Sequence, residues 1–163
     1  MKILLISDTH NDRLHLKHKI LPKYADEIQM AVHLGDFAVD LISAQGAFPG
    51  IKMAGVGGSF EFDEETEHIF EVGDGEFKRR ILLLHGHTVD VKSGLNRLVN
   101  YARQKEVHAC FFGHTHVPVI LEESGIFFMN PGSLTNPPSG KNGSYGLVTV
   151  SPEGKFYGEV IES

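Results

Sequence analysis

The chain has 163 residues, 15 of them basic and 21 acidic, and a formal charge of −6 at neutral pH. That length predicts a single domain, residues 1–163, with enough core to bury about two-thirds of the unfolded surface. An acidic balance without a basic stripe argues against nucleic acid as a partner, and no stretch nears the ~18 apolar residues of a membrane span. The most basic stretch, "RLHLKHKILPK" at 13–23, reads as a solvated helix face. The single cysteine, Cys110, lies in the apolar run "ACFFG" and is expected to pack as a small hydrophobe, which excludes a disulfide framework. The early "ILLIS" is too short for a signal segment and runs straight into Asp8, so a soluble, cytoplasmic protein is expected.

In chain order, "KILLIS" (2–7), "MAVHLG" (30–35), "IKMAGV" (51–56), "RRILLLH" (79–85) and "HACFFG" (108–113) are short, apolar and rich in branched residues. They predict buried strands. Helical patterns lie between several of them, at 12–21 and at 93–105, the second with Ser93 as its N-cap. From 117 onward the character changes. "VPVILEE", "GIFFMN", "YGLVTVS" and "KFYGEVIE" read as strands parted by turns, a β-meander. The stretch 130–144, "NPGSLTNPPSGKNGS", is a loop of a length that often carries function. The pattern predicts an α/β fold of two sheets packed face to face, a β-sandwich with helices outside.

Polar residues gather at the carboxyl ends of the strands. "LLISDTH" ends in Asp8 and His10, "VHLGD" in Asp36, "LLLHGH" in His85 and His87, and "FFGHTH" in His114 and His116. Residues two apart on a strand share a face, so each pair can grip one ion or two neighbouring ions, or simply sit on a surface loop. Four strand ends tipped with Asp or His are not easily a coincidence, because ligands of open α/β sheets bind beyond the carboxyl ends of the strands. Nitrogen and oxygen donors without a thiolate suit Mn, Fe, Ni or Zn. Outside this set, His33 sits three before Asp36 and is expected to be packed, and Asp12 to cap the next helix. His15, His18, His68 and His108 read as surface or capping residues, and Asp90 shows no motif role.

D-x-H, then G-D, then a glycine-rich turn, then H-G-H and G-H-T-H resembles the metallophosphoesterase (calcineurin-like) signature, most closely its small bacterial and archaeal phosphodiesterase branch, of which "NPGS" (130–133) is also typical. The resemblance implies a helix-flanked two-sheet sandwich with two divalent metals, manganese first and Ni, Fe or Zn as alternatives. Asp8, His10 and His116 would hold the first ion, His85 and His114 the second, and Asp36 would bridge them. It also implies a small phosphate-ester substrate, attacked by a metal-bound hydroxide. His87 would orient substrate or a ligand.

The pattern breaks at residues 56–63, "VGGSFEFD", where the family expects G-N-x-D or G-N-H-D. Ser59 takes the place of an asparagine ligand of the second ion, Phe60 that of a histidine general acid, and Glu61 that of an aspartate. A hydroxyl is a shorter, weaker ligand, and Phe60 has no proton to give, which favours diesters with good leaving groups such as phenols. Pro138 stands near the place where relatives often carry a basic residue. The competing reading is a non-catalytic scaffold of the same fold, like a subunit of the eukaryotic retromer complex. A nucleotide-binding reading of "GVGGSF" (55–60) fails because Phe60 replaces the third glycine and an acidic run comes next. Apolar residues on the terminal strands leave a homo-oligomer open.

Overall fold

The computed structural model describes residues 1–61 and 64–163. Its strands are β1 (Lys2–Ile6), β2 (Met30–His33), β3 (Lys52–Gly55), β4 (Glu67–Val72), β5 (Arg79–Leu84), β6 (Ala109–Phe112), β7 (Val119–Glu123), β8 (Ile126–Asn130), β9 (Ser144–Val150) and β10 (Phe156–Glu162). They form two five-stranded sheets, ordered β10-β9-β1-β2-β3 and β4-β5-β6-β8-β7. The central strands are parallel: β1 pairs with β2 from Ile3↔Met30, and β5 pairs with β6 from Ile81↔Ala109.

The central runs are apolar throughout because both faces are covered. Between the sheets, Ile3, Leu5 and Val32 meet Ile81, Leu83, Phe111 and Met129. On the outer face of the first sheet, Leu4, Ile6 and Ala31 pack under Leu16, Ile20 and Leu21. On the outer face of the second, Leu82, Leu84, Cys110 and Phe112 pack under Leu98 and Ala102 of α4 (Asn96–Gln104). Cys110 is fully buried, and burial raises the pKa of its thiol. No helix among the described residues is long and apolar enough to cross a membrane.

The α/β sandwich matches the expectation, with four differences. The last third is not one meander: the β7–β8 hairpin joins the second sheet and the β9–β10 hairpin joins the first. β4 was not anticipated, because "EHIFEV" mixes charges into an edge strand that pairs antiparallel with β5. The first helical stretch runs from 13 to 24, with a π-helical Leu16–Ile20 between Arg13–His15 and Leu21–Tyr24. Pro22, near the start of the last segment, has no N–H to return to the preceding turn, and a widened turn accommodates it. Ser93 is not an N-cap. It ends a separate 3₁₀ turn, Val91–Ser93, and its hydroxyl donates to Asp90 (2.9 Å), so α4 begins only at Asn96. Asp12 does cap the first helix, accepting from the His15 amide at 3.2 Å.

The end of β2 carries a fully buried polar chain. His33 Nδ1 accepts from the Gly35 amide (3.2 Å), its Nε2 meets Thr9 Oγ1 (2.9 Å), and Thr9 donates to Asp40 Oδ2 (2.6 Å). Thr9 gives its hydrogen to Asp40, so His33 is the donor to Thr9 and is a neutral Nε2–H tautomer. Burial lowers the pKa of His33 from 6.5 to about 4 despite the nearby carboxylates of Asp8 and Asp40. Between these values the unfolded chain binds the proton and the folded chain does not, so stability falls with pH below about 6.5. Urea unfolding of the metal-free protein is expected to show a loss from pH 7 to pH 5 that is about 2 kcal/mol larger than in His33→Gln. Equal losses would show that His33 does not carry this dependence.

Candidate metal centre

Parallel strands from both sheets end on one side of the sandwich. Asp8 and His10 follow β1, Asp36 follows β2, His85 follows β5, and His114 and His116 follow β6. Five of these residues have left-handed backbones: Asp8 (φ 53°), His10 (46°), Asp36 (55°), His114 (67°) and His116 (58°). Asp and His tolerate this region better than most side chains, yet each such residue costs on the order of 1–3 kcal/mol and tends to mark a functional site.

One ligand atom each from Asp8, His10, Asp36 and His116 lies within 4.8 Å of the others. His85 and His114 adjoin them: His85 Nε2 is 3.5 Å from Asp36 Oδ1 and 3.1 Å from His114 Nδ1. Ser59 Oγ is 3.2 Å from His114 Nδ1, and the Ser59 amide donates to Asp36 Oδ1 at 2.7 Å. All seven residues read from the sequence as candidate ligands therefore converge. His87, read as a catalytic candidate, stands beside them, its ring centroid 5.4 Å from that of His85 and 6.1 Å from that of His114.

The donor chemistry fits a cation. His85 Nδ1 lies 2.7 Å from the Leu34 carbonyl and His116 Nδ1 lies 2.7 Å from the Asn136 carbonyl. A carbonyl only accepts, so both histidines commit their Nδ1–H there and present Nε2 inward, the orientation that outer partners impose on metal-binding imidazoles. His116 Nε2 then faces Asp8 Oδ1 at 3.1 Å, a neutral nitrogen lone pair against a carboxylate. Asp8 Oδ1 and His10 Nε2 are buried without a hydrogen-bond partner. Either a proton or a metal ion must fill such a gap. With no ion, the pKa of His116 is raised by Asp8, and that of His85 is raised by Asp36 and Asp8 against the penalty of burial. Burial also opposes the charge on Asp36, but His85 and the Ser59 amide outweigh it and its pKa falls to about 2. Burial and the neighbouring His85 lower the pKa of His114 to about 4.

Several supports were not legible in the sequence. Ser133 Oγ donates to the Asp8 carbonyl (2.8 Å) and Thr135 Oγ1 to the Thr9 carbonyl (2.8 Å), so loop 131–143 clamps the D-x-H turn. Asn130 donates to the Gly113 carbonyl (2.9 Å) and to Thr115 (3.0 Å), fixing the G-H-T-H turn. Glu61, at the family's aspartate position, accepts from the amides of Ala38 (2.8 Å) and Gly58 (2.7 Å). The signal was present only as residue type, since short polar side chains bind nearby backbone groups in turns. His33 is packed as expected. His18, His68 and His108 are exposed and His15 half-buried, none of them in the cluster. Asp63, the last residue of the "VGGSFEFD" stretch, and Phe62 before it lie outside the described residues.

Residues 1–153 match the calcineurin-like phosphoesterase superfamily domain, and the chain belongs to that superfamily. It is 27% identical over 163 aligned residues to the probable metallophosphoesterase YsnB of Bacillus subtilis, covering 96% of this chain and 90% of the relative. It is 34% identical over 71 residues to the phosphodiesterase YfcE of Escherichia coli, a match to 44% of this chain and 35% of that protein. The fold is shared with Vps29 of Entamoeba histolytica in complex with zinc, with a TM-score of 0.71 at 22% identity over 99% of both chains. Membership places the protein among metal-dependent hydrolases of phosphate esters, with an Asp/His cluster able to hold a metal ion.

The turn at Gly58 controls this centre. A Cβ there would sit 2.2 Å from both the backbone nitrogen and Oδ1 of Asp36, whereas at Gly50 it would meet nothing within 4 Å. Mn²⁺ is expected to raise the Tm of the native chain, and Gly58→Ala is expected to cost about 1–3 kcal/mol of stability and to abolish that rise. Gly50→Ala should retain that rise. A full Mn²⁺ response in Gly58→Ala would show that Asp36 need not sit where this turn holds it.

Proposed function

We propose that the protein is a phosphodiesterase that works with two divalent metal ions. The observation that carries this reading is the position of Asp36, whose carboxylate belongs to the cluster with Asp8, His10 and His116 and, through Oδ1, also lies 3.5 Å from His85. One carboxylate thus joins two ligand sets. Asp8, His10 and His116 would hold one ion and His85, His114 and Ser59 the other, with Asp36 common to both. When bound, such ions acidify a coordinated water and neutralise charge on phosphate oxygens.

The protein's own groups divide the remaining work. His85 and His116 are locked by backbone carbonyls, so they hold their ions without rearrangement as charge develops. His87 has a pKa lowered by burial and by His85, so it would stand neutral beside the cluster and donate its single N–H to a phosphate oxygen. Phe60 gives no proton to the departing alcohol, which favours esters of acidic alcohols such as phenols. YsnB and YfcE are named as a metallophosphoesterase and a phosphodiesterase, which supports the reading. The nitrogen and oxygen donors suit Mn, Fe, Ni or Zn alike, and manganese is taken first from the resemblance to the small phosphodiesterase branch.

Ser59 favours a second reading, a scaffold with a weakened metal site, since the chain also shares the fold of Vps29. A p-nitrophenyl phosphodiester, assayed with the metal-stripped protein across a Mn²⁺ titration, separates the two. Metal-dependent turnover is expected, and Ser59→Asn, with its longer carbonyl arm, should lower the half-saturating Mn²⁺ concentration about tenfold. No turnover in either protein, with fewer than two ions bound at saturation, would remove the enzyme reading in favour of the scaffold.

A further inference from the structure

Apolar side chains stand in solvent on both flanks of the ligand cluster. On one flank Phe60 is 64% exposed, directly after the Gly58–Ser59 turn. Its ring centroid lies 6.3 Å from that of His10, and that of Phe37 lies 5.9 Å from the same ring. The other flank begins at His116, whose ring is 5.6 Å from His10. There a cavity of about 420 Å³ is lined by His116, Val117, Pro118, Pro138, Lys141 and Val160, among others. Val117 is 51% exposed. The metal centre thus lies between an aromatic edge and an apolar pocket.

Phe60 contributes no packing to the three core clusters. The turn just before it is held in place: Glu61 accepts from the Gly58 amide and the Ser59 amide donates to Asp36. A large ring so exposed offers apolar and stacking area to a docking group. The pocket across the site is within the size range of sites for small organic groups. Its wall also carries the cation of Lys141 and the carboxylate of Glu162.

We propose that these flanks are subsites for the two alcohols of one phosphodiester, with Phe60 and Phe37 stacking an aryl or nucleobase ring and the pocket beyond His116 taking the second organic group. This rests on the phosphodiesterase reading and narrows it to diesters with at least one aromatic alcohol. A phosphomonoester fills one flank at most. A macromolecular partner is disfavoured because both apolar features are continuous with the ligand cluster.

Phosphinates test this without any cleavable bond. Diphenylphosphinate and dimethylphosphinate carry the same single charge and the same phosphorus centre, and their binding to the Mn²⁺-loaded protein can be followed by calorimetry. Diphenylphosphinate is expected to bind at least about tenfold more tightly, as stacking of one ring predicts. Phe60→Ala should lose most of that preference while binding dimethylphosphinate unchanged, and Phe60→Trp should keep it. With bis(p-nitrophenyl) phosphate as substrate, Phe60→Ala should raise KM about tenfold with kcat nearly constant, the mark of lost uniform binding. Equal affinity of the native protein for the two phosphinates, or a preference untouched by Phe60→Ala, would overturn the aryl subsite while leaving the phosphodiesterase reading intact. Absence of metal-dependent hydrolysis together with absence of phosphinate binding would overturn both.

Discussion

The carboxylate of Asp36 is the point on which the molecule turns. It follows a strand of one sheet and reaches His85 at the end of a strand of the other. A negative charge so enclosed is tolerable only with hydrogen bonds and positive charge around it. The Ser59 amide supplies one, and the histidines supply the rest as cations or as ligands of cations. The contact between Asp36 and His85 sets the carboxyl ends of β2 and β5 beside one another, with those of β1 and β6 at the same edge. The left-handed residues at those ends carry the backbone strain of this alignment.

Behind the candidate ligands lies a layer of polar bonds. Asp40 is fully buried, with Arg13 at 3.1 Å and Thr9 at 2.6 Å. Thr9 lies between Asp8 and His10, so this ion pair is anchored to the backbone that presents both. Arg13 is half exposed and only Asp40 is buried, so the pair satisfies a buried carboxylate and lends geometric definition more than net stability. Here the definition falls on the turn where two ligands are 2 residues apart.

Much of this was legible in the sequence because parallel sheets expose their logic. Runs such as "ILLI" and "ACFF" are apolar on both faces only when both faces are covered, and the residues just beyond each run land at the carboxyl edge. Local period revealed the strands, and the tips revealed the candidate ligands. β4 escaped because "EHIFEV" is an edge strand with solvent on one face and charges throughout. The split of the last four strands between two sheets escaped because hairpin signals are local and say nothing of which sheet receives the hairpin. The roles of Asn130, Ser133 and Glu61 escaped for a similar reason: a short polar side chain advertises a turn, and only the fold tells which backbone group it meets.

The loop 131–143 has a consequence for the order in which the protein matures. Every candidate ligand lies at or before His116, yet Asn130, Ser133 and Thr135, which fix the two histidine-bearing turns, come later. During synthesis the ligand residues leave the ribosome before the groups that hold them in place. Contacts from Asp8 to Ser133 span most of the chain, and contacts of that separation form late in folding. The strand β9 that follows this loop pairs with β1 across an even longer span, Leu5 to Gly146, so the sheet that carries Asp8 and the loop that clamps its turn close together, and the candidate ligands gain a fixed geometry only as the sandwich itself is completed.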